Sequence, residues 1–194
     1  MLVIKYMSYL YQLECQIFRK INHHLNRRYL IHYFHTITHL GGATFTIAAS
    51  VLLLFLSTGL VKLTALASVL SLIISHIPVA IVKKIFPRKR PYLVLDEIHV
   101  TENPLQDHSF PSGHTTAIFA ILIPFILFIP LNSISLFMVF IGVSVALSRI
   151  VLGLHYPSDV LVGCLLGTFS GYFSYYLVMN LPLLTLKELL GIAI

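Results

Sequence analysis

The stretch "SRIVLGLHYPSD", residues 148–159, places an arginine, a histidine and an aspartate within eleven positions, between two long apolar runs. Ionisable groups at the edge of a bilayer are costly and are kept for function or for pairing. Working outward from it, the chain contains five runs apolar enough to cross a bilayer, which takes about 20 residues of helix. They cover residues 41–60, 63–82, 115–131, 134–152 and 160–181. The expected fold is therefore all-α: a polytopic membrane bundle of five spans, or six if the N-terminal segment also crosses. With 57% hydrophobic and 10% charged residues in 194, against about 25% charged in soluble domains, a soluble enzyme is excluded.

Three parts are expected: an N-terminal segment 1–40, a bundle 41–182 carrying a polar loop 83–114, and a short tail 183–194. The first part reads as an amphipathic helix on the membrane, because Lys5, Gln12, Glu14, Gln16, Arg19 and Lys20 interrupt its apolar residues. No cleavable signal peptide is expected from it, because its first apolar stretch carries Lys5 and Glu14 and lacks a small-residue cleavage site. Its second half holds five of the ten histidines, His23, His24, His32, His35 and His39. With no carboxylate nearby to complete a metal site, these read as interfacial residues. Cys15 and Cys164 lack metal-ligand spacing and read as small buried apolar residues. The net charge of +6 sits beside the spans with no nucleic-acid motif, so anionic lipid, not nucleic acid, is the expected partner.

An antiparallel five-span bundle puts the 83–114 loop and the 148–159 stretch on one face. The loop opens with "KKIFPRKRP" (83–91), continues through "DEIHVTENPLQDHS" (96–109) and closes on "FPSGH" (110–114). Lys83, Arg90 and Arg149 are cations at span ends, and several held together suit a polyanion such as phosphate. Lys84, Arg88 and Lys89 read as flanks that set topology. Ser112 is an expected N-cap and Gly113 lets backbone approach a ligand, so the next helix offers free N–H groups to an anion. His114 lies in its first turn as a candidate acid or base. Asp159 can orient His155 through Nδ1, leaving the other ring nitrogen as nucleophile or base. The acids Asp96, Glu97, Glu102 and Asp107, with His99 and His108, lack a ligand spacing and read as a solvated loop; no metal is expected.

Lys83-x6-Arg90-Pro91, Pro111-Ser112-Gly113-His114 and Ser148-Arg149-x5-His155-x3-Asp159, in this order, resemble the three-part signature of the type 2 phosphatidic acid phosphatase superfamily, with no position departing from it. The likeness covers residues 83–159 at motif level; residues 1–40 lie outside it. The resemblance implies metal-independent hydrolysis, without cofactor, of a lipid phosphate or diphosphate: a polyprenyl diphosphate, phosphatidylglycerophosphate or phosphatidate. In that reading His155 attacks phosphorus, Asp159 orients it and His114 protonates the leaving oxygen. Lys83, Arg90, Arg149, Ser112 and Gly113 hold the phosphoryl oxygens. The rival from another class is a small transporter or lipid-binding protein, which predicts mid-span ionisable residues; beyond His76 there are almost none. A soluble vanadate haloperoxidase does not fit this apolar chain. Oligomeric state is not legible.

A bacterial plasma membrane is the expected location. Eleven of the thirteen cations fall on the site face, and eight remain against Lys62 and Lys187 once the three candidate phosphate ligands are set aside. That count points to the cytoplasm, although relatives that recycle polyprenyl carriers are thought to work on the outer face.

Overall fold

A computed structural model describes residues 2–25, 27–100, 104, 106–129 and 131–181. The chain order is α1 (Leu2–His24), α2 (Arg28–Ile37), a 3-10 turn (Thr38–Gly41), α3 (Ala43–Leu56), α4 (Gly59–Ile85), a 3-10 turn (Pro91–Leu93), α5 (Gly113–Phe128), α6 (Ser133–Val151) and α7 (Pro157–Met179). Among the described residues there is no strand. The tail 183–194, with Lys187, and Glu102 of the loop lie outside them.

The burial pattern is that of helices whose solvent is hydrocarbon. In α4 the buried face is mostly small or hydroxylated, with Thr64, Ala65, Ala67, Ser68, Ser71 and Ser75 beside Leu72 and Val79, while Ile73, Ile77 and Ile81 are exposed. In lipid large side chains gain nothing by turning inward, so packing favours small residues that let helices approach. α7 follows the same rule: Gly163, Gly167, Gly171 and Ser174 face inward, and Leu161, Leu165 and Phe169 face out. A Cβ on Gly163 would sit 2.8 Å from the Ser112 carbonyl, and one on Gly171 2.7 Å from Ile123. Only glycine lets α7 lie this close to α5, its most extensive neighbour, and that approach holds the start of α5 beside the start of α7.

α4, α6 and α7 are long and apolar enough to cross a membrane, with 27, 19 and 23 residues. α5 is shorter, at 16 residues. The last four apolar runs each become a helix shifted by a few residues. The first does not: the run 41–60 yields a helix of only 14 residues, joined to the segment Arg28–Gly41 across a 53° bend. If that bent pair is one span, the spans number four by length and composition. The break falls at Gly41 and Gly42, where the backbone turns extended. A Cβ on Gly41 would lie 2.9 Å from the His114 carbonyl, so close packing against α5 ends the helix there.

α1 is a helix as expected, but not a detached one. Its inward positions, Glu14, Phe18 and Asn22, recur every four residues, with Phe18 and Asn22 fully buried. Asn22 Nδ2 donates to the carbonyls of His99 (2.8 Å) and Val151 (2.9 Å), and its Oδ1 accepts from the His99 N–H (2.9 Å). One buried amide thus ties α1, the polar loop and the end of α6 together, with every hydrogen bond satisfied on both sides. The cysteines are only partly buried, Cys15 and Cys164 alike, because each sits at the margin of its helix's inner face.

Candidate active site

Three loops meet at one end of the bundle. The turn after α6 runs back on itself, with the Arg149 carbonyl accepting from the N–H of Leu154 (3.0 Å) and of His155 (3.1 Å). Gly153 makes this reversal at φ 76°, and a side chain there would strike the His99 carbonyl. Pro157 then opens α7 at its first position, where its missing N–H costs nothing. The Asp159 carbonyl accepts from the Ser112 N–H at 3.0 Å, which docks the Pro-Ser-Gly-His segment on α7. The expectation that these loops share a face is therefore met through direct hydrogen bonds.

His155, 1% exposed, lies between two charged groups. Its Nε2 is 3.2 Å from Arg90 Nη1, and its Nδ1 is 3.6 Å from Asp159 Oδ2. Arg90 can only donate, so Nε2 is the acceptor and the ring proton belongs on Nδ1, toward the carboxylate. Burial pushes the His155 pKa down to about 4; the Asp159 hydrogen bond opposes this and the charges of Arg149 and Arg90 add to it. The imidazole is therefore neutral at ordinary pH, with its lone pair turned to the arginines.

Arg90, 1% exposed, also donates to the Leu154 carbonyl (2.9 Å), to the Asp107 carbonyl (2.8 Å) and to Asp107 Oδ1 (2.5 Å). Lys83 pairs with the other oxygen of the same carboxylate. Burial works against the Asp107 carboxylate, but the hydrogen bond from Lys83 and the charge of Arg90 outweigh it and bring its pKa to about 2. Arg149 is different. It is 2% exposed and donates from Nη1 to Thr38 Oγ1 at 2.7 Å, yet its Nε and Nη2 are buried with no hydrogen-bond partner. Buried donors without partners are rare and call for an explanation. One edge of this guanidinium is held by the protein and the other is turned to something else.

His114 occupies the first turn of α5, within electrostatic reach of Arg149, His155 and Arg90. Its Nε2 lies 3.7 Å from where a Gly42 Cβ would be. Ser112 is the N-cap residue of α5 as expected, but its side chain caps no backbone N–H and instead meets Thr115 Oγ1 at 3.0 Å. Beside Gly113 a Cβ would meet nothing within 4 Å, so the helix start faces open space. Lys83, Arg90, Ser112, Gly113, His114, Arg149, His155 and Asp159 are thus all brought to this end of the bundle.

Two sequence-based assignments are corrected. Arg88, read as a topological flank, donates to Asp159 Oδ1 at 2.7 Å, to Ser158 Oγ at 2.8 Å and to Glu14 Oε2 at 2.6 Å. Asp107, read as part of a solvated loop, is exposed as that reading has it, with 51% of its side chain accessible, but it is not idle: it carries Lys83 and Arg90. Lys84, Lys89, Asp96, Glu97 and His108 are exposed as expected. Three participants were not foreseen: Ser109, Thr38 and Glu14. Ser109 Oγ donates to Asp159 Oδ2 at 2.5 Å and lies 3.4 Å from His155 Nδ1, so it bridges the pair. Only its place two residues before Pro111 hinted at this. Among the described residues no group of three or more His, Cys, Asp or Glu is arranged to hold a metal; His35 and His39 meet edge to face, ring centroids 5.4 Å apart.

Residues 64–182 match the PAP2 superfamily. The bacitracin transport permease protein BcrC of Bacillus licheniformis is 28% identical over 138 residues, 66% of this chain and 67% of that protein. The undecaprenyl-diphosphatase of Sulfolobus acidocaldarius is 26% identical over 141 residues, 73% of this chain and 66% of that protein. The chain thus spans about two thirds of the length of these relatives. The crystal structure of a transmembrane PAP2-type phosphatidylglycerolphosphate phosphatase from Bacillus subtilis superposes with a TM-score of 0.73, covering 90% of this chain and 89% of that one at 21% identity, which establishes the shared fold. Apolar helices of this length and these relatives make the protein a multi-pass membrane protein. With the match running through the whole bundle from α4 onward, the chain belongs to the PAP2 superfamily.

Proposed function

We propose that this protein hydrolyses a membrane lipid phosphate or diphosphate through a phosphohistidine on His155. The observation that carries the reading is Arg149, whose buried Nε and Nη2 have no protein partner while its backbone holds His155 in place. A planar guanidinium offering two donors matches two oxygens of a phosphoryl group. Arg90 and the free N–H groups at the start of α5 supply further donors, with Lys83 behind them through Asp107. Phosphoryl transfer asks for this positioning and charge neutralisation more than for covalent chemistry.

In the first step His155 Nε2 attacks the terminal phosphorus, a P–N bond forms and the bond from that phosphorus to the leaving oxygen breaks, freeing a lipid monophosphate from a diphosphate or an alcohol from a monophosphate. His114 gives its proton to the departing oxygen. Asp159, held by Ser109 and the Tyr156 N–H (2.9 Å), stabilises the resulting imidazolium. In the second step water attacks phosphorus, His114 takes back a proton and the P–N bond breaks, releasing inorganic phosphate. No metal or cofactor enters either step. A polyprenyl diphosphate is the favoured substrate, since the undecaprenyl-diphosphatase likeness spans 73% of the chain and a surface site leaves a long tail in the bilayer. Residues 41–182 are the phosphatase part; counting the 16-residue α5 as a short span beside the bent pair, α4, α6 and α7 gives five, α1 lies on the membrane surface, and the membrane is the bacterial plasma membrane.

The detergent-purified protein, offered polyprenyl diphosphate, phosphatidylglycerophosphate and phosphatidate, is expected to release phosphate equally with and without chelator. Vanadate, which mimics the five-coordinate phosphorus, is expected to inhibit it. Loss of activity on chelation would overturn the metal-independent mechanism.

Orientation has its own test. With Arg88 assigned to the site, seven cations against two place the site face in the cytoplasm by the positive-inside rule. Five spans then put the C-terminus outside. A C-terminal reporter active in the cytoplasm would reverse this and move the site to the outer face.

A further inference from the structure

Arg88 is held against carboxylates rather than against the His155 ring, which Arg90 meets. It bridges two carboxylates, Asp159 and Glu14, and lies over the Tyr156 ring, 3.9 Å from the centroid. That ring is wedged by Phe18 at 5.8 Å and Tyr11 at 6.1 Å, both from α1. Glu14 does double duty: Oε2 accepts from Arg88, and Oε1 accepts from the Ser158 N–H at 2.9 Å. Ser158 is the second residue of α7, so the Glu14 carboxylate also satisfies one of the free N–H groups of that helix and opposes its positive end. A residue from the N-terminal helix therefore reaches the back of the His155–Asp159 pair.

We propose that Glu14 and Arg88 are positioning residues for Asp159: Arg88 fixes one carboxylate oxygen so that the other faces His155, and Glu14 balances the Arg88 charge so that Asp159 remains an effective counter-ion. The division of labour on Asp159 is plain in its contacts. Oδ1 takes Arg88, while Oδ2 takes Ser109 and the Tyr156 N–H and faces His155 Nδ1. Arg88 alone would neutralise Asp159 and weaken its hold on the imidazolium that forms when His155 is phosphorylated. With Glu14 added, one cation faces two anions, and the group of three presents a net charge of −1 to that imidazolium. In a buried site such an imbalance is weakly screened. Arginine suits the task because its fork serves two carboxylates in one plane; the sequence segment 1–40, though outside the three motifs, thereby becomes part of the catalytic apparatus.

This inference rests on the phosphohistidine reading. The test compares wild-type, Glu14→Gln, Arg88→Lys, the double variant and His155→Ala as full-length proteins in detergent, with farnesyl diphosphate as probe. Rates are normalised to folded protein by thermal midpoint and elution profile. Outer partners that orient the histidine ligands of metals typically contribute about 10- to 100-fold, and the same scale is expected of partners that orient Asp159. Glu14→Gln and Arg88→Lys are each expected to lower kcat by about 10-fold or more, with KM within about twofold. The double variant is expected to be no worse than the poorer single one, since both act through one carboxylate. A kcat within about twofold of wild type in Glu14→Gln, multiplicative losses in the double variant, or a loss confined to KM would each overturn the inference. Activity surviving in His155→Ala would instead overturn the reading beneath it.

Discussion

The His155→Ala protein is expected to release no phosphate from a lipid diphosphate above about one part in ten thousand of the wild-type rate, a loss in the range measured for removal of a covalent nucleophile. The side chain is buried, its Nδ1 faces Asp159 and Ser109, and its Nε2 carries the lone pair that attacks phosphorus in the proposed mechanism. Alanine removes that nitrogen. The variant should still bind vanadate weakly through Arg149 and Arg90, so a folded, vanadate-responsive but inactive protein is the signature. The same residue sets an acid limit. Its pKa near 4 means that the neutral nucleophilic form predominates down to low pH, with about one molecule in a hundred protonated at pH 6. Phosphorylation of the enzyme in a single turnover is therefore expected not to fall for want of neutral His155 between pH 8 and pH 5, and to fall as pH approaches 4. A decline centred near pH 6.5 would show an ordinary solvated histidine and contradict the buried geometry.

Arg149→Ala is the second large effect. Arginines that neutralise charge in phosphoryl transfer contribute about 10³- to 10⁵-fold, and here the side chain is fully enclosed with two donors free of protein partners. A loss of about 1,000-fold or more in kcat/KM is expected, together with loss of vanadate inhibition. Arg149→Lys keeps the charge but not the fork: its three N–H groups diverge from one nitrogen and cannot span Thr38 and a bidentate pair of phosphoryl oxygens as the planar guanidinium does. It should recover at most a small part of the activity. Near-full activity in Arg149→Lys would mean that charge alone is required and that the unpaired Nε and Nη2 have no phosphate to meet.

The helices, and the residues that converge at one end of the bundle, were readable because both are local signals. An apolar run long enough to cross hydrocarbon must satisfy its own backbone hydrogen bonds and so becomes a helix. The motif "PSGH" announces a helix start, and "HYPSD" announces another with a histidine before it. Alternation of direction then puts both starts at one end. The first run failed as a predictor because hydropathy is blind to close packing: Gly41 and Gly42 are apolar enough to continue a span, yet they are where α5 crowds the chain.

What composition could not reveal is which polar groups face each other across the bundle. Arg88 and Lys89 are neighbours of one charge type in one segment; one is bound by two carboxylates and the other is exposed, and only the approach of Glu14 from α1 and Asp159 from α7 separates them. Thr38, Ser109 and Glu14 are common residues in unremarkable settings, and nothing within a few positions marks them. Their roles come from contacts 50 to 144 residues apart in the chain. The sequence by itself determined an all-helical membrane protein with a phosphate-directed triad of motifs, since hydrophobic length, helix starts and fixed spacings are properties of contiguous residues. The tertiary structure alone decided the partners of each charge, because pairing in a buried site depends on distances between helices that no local pattern encodes.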